Sequence, residues 1–371
     1  MAAFGALVAL AGCLLLPFVE FRPNRIVSGT PESVFVAGAA GIALVAFAAL
    51  ALVAAFAPAR LRGPLLLATG AGIGVVLLWS VGVAAVLLQE GEPPIARVSI
   101  GAGAWLAAIG ALIVWFAGTR ATPSALVRRI AGAAALLGVL AVALTGGLGE
   151  LSLAKEYAVQ SRRFWTLVRQ HLVLAGSGVG FGALIGIPLG VLASRNRLVR
   201  DVGLGVVSII QTIPSMAMLG LLIAPLAALG LTAIGTTPAV IALTLYALLP
   251  IMRNTFVGLA GVDPGVIDAG RGMGMGRLQL LARVEAPLAL PLVIEGVRAA
   301  AVLVIGIAAV TAFIGAGGLG VLVFQGWGQQ ADDLTLLGAV PMVVLAVAAD
   351  ALMRGLGRVV VSPGIREEAA A

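Results

Sequence analysis

The sequence predicts an all-α, polytopic membrane protein with about ten transmembrane helices. Composition is the first observation. Hydrophobic residues fill 61% of 371 positions and charged residues only 11%, against about 25% charged in a soluble domain. So little polar surface cannot cover a folded chain in water, which makes lipid the solvent. The second observation is a series of apolar stretches near the roughly 20 residues that span a bilayer. The third is that arginine recurs in every second loop between them, as the positive-inside rule requires.

Ten apolar segments can be marked: 4–19, 34–57, 64–88, 99–117, 130–149, 172–193, 202–224, 236–252, 287–311 and 335–353. The first contains Leu10-Ala11-Gly12-Cys13, the spelling of a lipid-attachment site. No basic residue precedes it and the apolar run continues through 14–19, so a first spanning helix is expected. Arg60 and Arg62 follow segment two, Arg120, Arg128 and Arg129 follow four, and Arg195, Arg197 and Arg200 follow six. Arg271, Arg277 and Arg283 follow eight, and Arg354, Arg358 and Arg366 follow ten. The intervening loops carry Glu20, Glu32, Glu90, Glu92, Glu150, Glu156, Asp332 and Asp333, which their own basic residues roughly cancel. This alternation predicts that both termini are cytoplasmic.

Segments one to five are dense in Ala, Leu and Val, whereas later ones are rich in Gly and Pro. Residues 1–149 are therefore read as an accessory N-terminal transmembrane region. Residues 150–171 are read as an external amphipathic connector, and 172–371 as the working core. The basic balance is not a nucleic-acid signal, since Lys155 is the only lysine and the arginines sit in separate short loops. Cys13 is the only cysteine, which excludes an intrachain disulfide and a thiolate cluster. Neither a metal-ligand cluster nor a phosphate-binding Gly-rich loop appears, so no cofactor is expected and ATP cannot bind by that route.

In segment six, Gly178, Gly182, Gly186 and Gly190 recur every fourth residue. They line one helix face with hydrogens, so another helix can approach, within the subunit or across an interface. Pro188 on the same helix predicts a kink. His171 is expected as an interfacial side chain at the external mouth. Glu295 with Arg298 (i,i+3) and Asp350 with Arg354 (i,i+4) read as two self-neutralising structural pairs rather than an ion pathway.

The internal loop 253–286 is long and basic. Asp263-Pro264 is a helix start, with Asp as cap and Pro at the first helical position. A short helix to about Arg271 is expected, stopped by Gly272, Gly274 and Gly276, then a second helical run from Arg277 to Val284. So short a helix needs a partner surface. The pattern alone admits either a soluble protein or the lipid head groups.

Asp268-Ala269-Gly270-Arg271-Gly272-Met273-Gly274, followed by Val284 and Ala286-Pro287, resembles the EAA loop of bacterial ABC importer permeases. It departs from that motif at Asp for Glu, Gly for the second Ala, and Ala286 for Leu. Gln211-Thr212-Ile213-Pro214-Ser215, Leu249-Pro250-Ile251-Met252-Arg253-Asn254 and Ile314-Gly315-Ala316-Gly317-Gly318-Leu319-Gly320 resemble the glycine betaine/osmoprotectant branch of those permeases. The likeness covers 165–355. Pro23-Asn24-Arg25 and Leu151-Ser152-Leu153 resemble its longer variant.

The resemblance implies a type I permease core that is not itself an enzyme, in a bacterial inner membrane. Its partners would be a cytoplasmic ATPase dimer, a second permease (identical or homologous) and an extracytoplasmic solute-binding protein. It further implies ATPase coupling through Asp263, Pro264, Asp268, Ala269, Gly270, Arg271, Gly272 and Gly274. Gln211, Thr212, Pro214, Ser215, Gly317, Gly318 and Gly320 would belong to the pathway or gate. The solute would be glycine betaine, choline or a related quaternary ammonium compound. The alternative from another class is an ion-gradient-driven carrier of a small solute. Such a carrier usually holds unpaired ionisable groups near mid-membrane.

Overall fold

The structure, a computed structural model, describes residues 1–24 and 27–360. Arg25 and Arg366, both used in the sequence reading, lie outside the described residues. The chain divides into two compact units, Met1–Val159 and Gln160 onward, with the boundary inside the helix Ser152–Arg195.

The N-terminal unit holds α1 (Ala2–Leu15), strands β1 (Val19–Arg22) and β2 (Thr30–Glu32), α2 (Ala39–Ala54) and α3 (Ala59–Gln89). Strand β3 (Arg97–Ile100), α4 (Ala102–Ala121) and α5 (Ala125–Leu144) follow. The strands form a small antiparallel sheet of order β2-β1-β3. Of these strands the apolar segments take in only Val19, Ser99 and Ile100 and the loops the rest, although Val19-Glu20-Phe21-Arg22 and Arg97-Val98-Ser99-Ile100 alternate in the two-residue period of a strand.

Helices α1 and α2 have 14 and 16 residues. At 1.5 Å per residue they reach about 21 and 24 Å, short of a core about 30 Å thick. Pro17 stops the first, because a residue before proline avoids the α region. Gly38, at φ 56°, cuts the second from a preceding 3-10 turn, Val34–Ala37. Among the described residues, seven helices are long and apolar enough to cross a membrane, or eight if a bent pair is one span. The two short helices occupy the remaining two of the ten apolar positions.

Close helix approach in this unit also runs through glycine. A methyl at Gly12 would lie 2.6 Å from the Gly103 oxygen, and one at Gly70 2.8 Å from the Trp115 nitrogen. Helices α1 and α3 therefore pack antiparallel to α4 at backbone distance.

The C-terminal unit is built from α6 (Ser152–Arg195) beyond Val159, α7 (Leu204–Thr212), α8 (Ser215–Ala228), α9 (Thr236–Ala260), α10 (Pro264–Gly272) and α11 (Arg277–Leu280). Helices α12 (Ala286–Ala308), α13 (Gly320–Gly328) and α14 (Asp332–Val360) complete it. From Ser152 the stretch read as the connector is helix, continuous with segment six, and Pro188 sits inside α6 without ending it. No breaker strong enough to stop the helix occurs before Arg195, and a transmembrane helix can re-satisfy the group a proline frees.

The four glycines of α6 all face α9. A methyl would lie 2.6 Å from Leu243 Cβ at Gly178, 2.5 Å from Ala247 Cβ at Gly182, 3.1 Å from Ile251 Cγ2 at Gly186 and 2.6 Å from Thr255 Cβ at Gly190. Residue numbers rise together on both helices, so α6 and α9 run parallel. Parallel neighbours require the chain between them to recross the membrane. The α7–α8 pair, bent by 109°, is that return span.

Helix α12 runs antiparallel to α9, since Gly296 meets Pro250 and Asn254 while Gly258 meets Ala289. The Arg298–Asp350 contact and the approach of Gly357 to Ile294 make α14 antiparallel to α12. The unit therefore makes five crossings, and α10, α11 and α13 lie in connections.

Candidate functional site

The loop between α9 and α12 is shorter than the sequence reading placed it. Helix α9 runs on to Ala260, because Pro250 is accommodated within it, so the connection is 261–285 and Arg253 lies inside a span. Asp263 Oδ1 accepts from the Gly265 amide at 2.8 Å and Pro264 takes the first helical position, which starts α10.

The helix ends in a closed turn. Gly274 N donates to Arg271 O at 2.9 Å and Met275 N to Gly270 O at 3.2 Å, with Gly274 at φ 79°. That is the Schellman arrangement, in which a left-handed residue satisfies the last carbonyls. Gly270 is buried because Leu280 packs over it; a methyl there would lie 2.6 Å from Leu280 Cδ1. At Gly274 nothing lies within 4 Å of an added methyl. Its constraint is the positive φ, not crowding.

Asp263, Pro264, Asp268, Ala269, Arg271 and Gly272 are exposed, and Asp268 pairs with Arg271 at 3.0 Å along the surface. After α11 a π turn, Leu281–Glu285, feeds α12. The expected helical run from Arg277 to Val284 is thus present, α-helical to Leu280 and π-helical beyond it. Glu285 is buried, with a side chain 2% exposed, and pairs with Arg195 at the end of α6. This link was not foreseen. An acid directly before Ala286-Pro287, after Arg271, Arg277 and Arg283, was the available signal.

At the other candidate region, the bend between α7 and α8 falls at Ile213-Pro214. Gln211 Nε2 donates to Tyr246 O at 2.9 Å, Tyr246 OH donates to Ile213 O at 2.5 Å and Thr212 Oγ1 donates to Ile209 O at 2.7 Å. Ser215 begins α8. The broken backbone is therefore held against α9 by side chains that replace the lost helical partners.

The glycine loop lies elsewhere in the unit. Gly315, Gly317 and Gly318 have φ of 74°, 84° and 82°, values that glycine alone adopts freely. Gly317 packs on the Gln170 side chain, Gly318 N donates to Gln170 Oε1 at 3.2 Å, and Gly320 packs against the Ala309 carbonyl. His171 is not interfacial. It is fully buried, with Nε2 3.0 Å from Ile305 O, and its ring flanks Gly318. Ile213 and Ile314 pack against one apolar cluster around Met218 and Tyr246, so the bend and the start of the glycine loop share a core.

Glu295, Arg298, Asp350 and Arg354 form one network, not two pairs. Arg298 Nε donates to Glu295 at 2.9 Å and its Nη1 to Asp350 at 2.7 Å, while Arg354 reaches Asp350 at 2.6 Å. Two cations balance two anions, joining α12 to α14. A cavity of about 540 Å³ opens beside this region, lined by Gln211, Pro250, Arg253, Asn254, Ala299 and Leu303 among others. A larger cavity, about 1110 Å³, lies in the N-terminal unit around Trp79, Glu90, Glu92 and Glu150. None of the candidate site residues lines it.

Residues 182–361 match the model of the binding-protein-dependent transport system inner membrane component. The carnitine transport permease protein OpuCB of Listeria monocytogenes is 42% identical over 198 residues, 53% of this chain and 88% of that protein. The chain belongs to the permeases of binding-protein-dependent ABC importers. It is thus a multi-pass membrane transport subunit, and the family works with separate ATPase subunits and solute-binding proteins.

The osmoprotectant import permease protein OsmW of Salmonella typhimurium is 44% identical over 201 residues, 54% of this chain and 93% of that one. The choline transport system permease protein OpuBD of Bacillus subtilis is 40% identical over 190, covering 51% and 81%. Each relative thus spans about half of this ABC permease. Residues 1–154 match a second model, the N-terminal domain of ABC transporter permease YehY. Among solved structures, an inward-facing MetNI methionine ABC transporter chain is similar over 54% of this chain and 99% of that one, at 28% identity and TM-score 0.49.

The loop geometry separates two glycines that look alike in sequence. Gly274→Ala should strain the turn by about 1–2 kcal/mol, whereas Gly272→Ala, helical and open, should firm α10 by up to about 1 kcal/mol. Hydrogen exchange of the α10 amides should speed up in the first variant and slow in the second. Equal exchange would contradict the turn described.

Proposed function

We propose that this ABC permease imports a quaternary ammonium osmoprotectant, and that α10 couples it to the ATPase. The observation that carries the coupling is the capped, Schellman-closed helix α10. It is a rigid element of about two and a half turns with Ala269 and Gly272 exposed, a surface on which another protein can rest closely. The solute class is supported by the relatives, which are named for carnitine, choline and osmoprotectants.

Two copies of residues 172–371, identical or from homologous chains, would form the passage. ATP-driven closure of an ATPase dimer beneath them would displace α10, and binding energy in the closed state would shift the passage between its two openings. The chain itself makes and breaks no bond. Residues 1–149 are the accessory part.

The proposed orientation has both termini and α10 in the cytoplasm. In the N-terminal unit the ends away from the sheet carry Arg60, Arg62, Arg120, Arg128 and Arg129, and the sheet ends carry Glu20, Glu32, Glu90 and Glu92. In the C-terminal unit Arg195, Arg197, Arg200, Arg271, Arg277, Arg283, Arg354 and Arg358 gather at one end of the crossings. Both distributions support a cytoplasmic assignment of the basic ends.

With Cys13 replaced, cysteines at Ser28 and Glu92 should react with an impermeant thiol reagent in intact bacteria, and those at Ser124, Asn196 and Met275 should not. Labelling of Met275 from outside would invert the scheme. Coupling is tested by Ala269→Trp. Membrane insertion and solute capture by the binding protein should persist, while solute-stimulated ATP hydrolysis and uptake fall together. Normal stimulated hydrolysis in this variant would remove α10 from the ATPase contact.

A further inference from the structure

The groove between α3 and α5 is lined by small residues that do not meet. It has a volume of about 560 Å³, with Ala68, Ala71 and Gly72 on one wall and Ala131, Ala134 and Ala135 on the other, and no polar side chain lines it. Small faces ordinarily bring two backbones together, and interiors leave few voids larger than a water molecule. Here α5 stands away. Val142 is its one buried residue, and an added methyl at Gly132 would find nothing within 4 Å. Phe47 of α2 closes the side of the groove, its ring seated on Gly72.

Val75 meets Gly138 and, just beyond α5, Gly82 meets Gly147, so residue numbers rise together and α3 and α5 run parallel. A methyl at Gly138 would lie 2.8 Å from Val75 Cγ2, which shuts the groove at that end. Between Pro64 and Val75 it runs about 17 Å. That is close to one leaflet of a hydrocarbon core about 30 Å thick. A spanning helix does not fit in it; one acyl chain does. The open end is basic. Arg60 lies one turn before Pro64 on the line of Pro64, Ala68 and Gly72, and the parallel register sets it level with Pro123, at the start of α5. Arg128 donates Nη1 to Thr122 O and Pro123 O, which holds its guanidinium at the same level.

Arg62, Arg120 and Arg129 share this end, yet no carboxylate occurs between Glu32 and Glu90 or between Glu92 and Glu150. The counter-charge therefore comes from outside the unit. Loop bias alone places arginines at this end, but not at the mouth of an apolar groove. We infer that the groove holds one acyl chain of an anionic phospholipid whose phosphate is bound by Arg60 and Arg128. A guanidinium grips phosphate through charge-assisted, forked hydrogen bonds, and basic pockets between transmembrane helices take anionic head groups. The acyl chain supplies the van der Waals contacts that α3 and α5 do not make with each other. The lipid thereby ties α5 to the rest of the N-terminal unit.

The test uses the full chain in detergent, stripped of lipid and then given phosphatidylglycerol or phosphatidylcholine with the same acyl chains. Bound lipid is counted by native mass spectrometry. The wild type should retain phosphatidylglycerol about tenfold more tightly than phosphatidylcholine. Arg60→Gln, at an exposed residue with no bond to lose among the described residues, should lower that ratio about threefold, and Arg60→Lys should keep it near wild type. Ala134→Leu, which fills the groove, should weaken retention of both lipids alike. Equal retention of the two lipids by the wild type, or a ratio untouched by Arg60→Gln, would overturn the inference. Retention unchanged in Ala134→Leu would place the lipid elsewhere and overturn it too. In the assembled importer, Ala134→Cys carrying a photoreactive label, with Cys13 replaced, should crosslink to lipid. Crosslinking to a protein chain would mean that a helix covers the groove, contrary to the inference.

Discussion

The C-terminal unit depends on one close approach, that of α6 to α9 along Gly178, Gly182, Gly186 and Gly190. Without hydrophobic driving force in lipid, helices associate by van der Waals contact, and small residues allow it by bringing backbones together. Every fourth position of α6 gives up its side chain so that Leu243, Ala247, Ile251 and Thr255 can occupy the space. Because the two helices are parallel, the α7–α8 return must bend around them. The bend at Ile213-Pro214 is then held on α9 by Gln211 and Tyr246. Helix α9 in turn seats α12 through Gly258 and Gly296, and α12 holds α14 through Arg298.

This arrangement gives the coupling loop two firm attachments. At one side it leaves the end of α9, which is locked to α6. At the other it enters α12 through the π turn, where buried Glu285 pairs with Arg195 at the end of α6. Removing one partner of such a pair leaves a buried charge unmet and costs several kcal/mol in a dry site, less here because Arg195 is half exposed. A push on α10 therefore reaches α6, α9 and α12 together. The middle of α6 and the far end of α12 meet at His171 and Ile305, and Gln170 and His171 support the glycine loop. Packed helices that move as bodies are the physical element that can carry such a shift.

Much of this was legible because it is local. Asp263-Pro264 and Gly274 mark the start and stop of α10 by dihedral preference alone, and the four-residue glycine period fixes one face of α6. The apolar segments gave the crossings of the C-terminal unit, including the bent one. Pairings distant in sequence were not legible. Arg195 with Glu285, Arg298 with Asp350, and His171 with Ile305 join residues whose separation no periodicity records. His171 was misjudged for that reason, since its burial comes from α12 and the glycine loop. The sheet was missed because strands of three or four residues are swamped by the apolar segments they adjoin. The start of the loop was misplaced because Arg253 reads as a boundary charge, while it sits within a span facing the cavity.

The central claim is that α6 and α9 stay seated on each other throughout transport, so that loop motion is passed on rather than absorbed. A methyl at Gly186 would lie 3.2 Å from Ile251 Cβ, near the Cβ spacing of a disulfide, about 3.5–4.5 Å. In a chain lacking Cys13, Gly186→Cys with Ile251→Cys should oxidise to an intramolecular disulfide. The oxidised importer should take up solute at the rate of the reduced one. Uptake lost on oxidation and regained on reduction would mean that the seam opens in each cycle. A disulfide between two chains would mean that the glycine face belongs to a subunit interface.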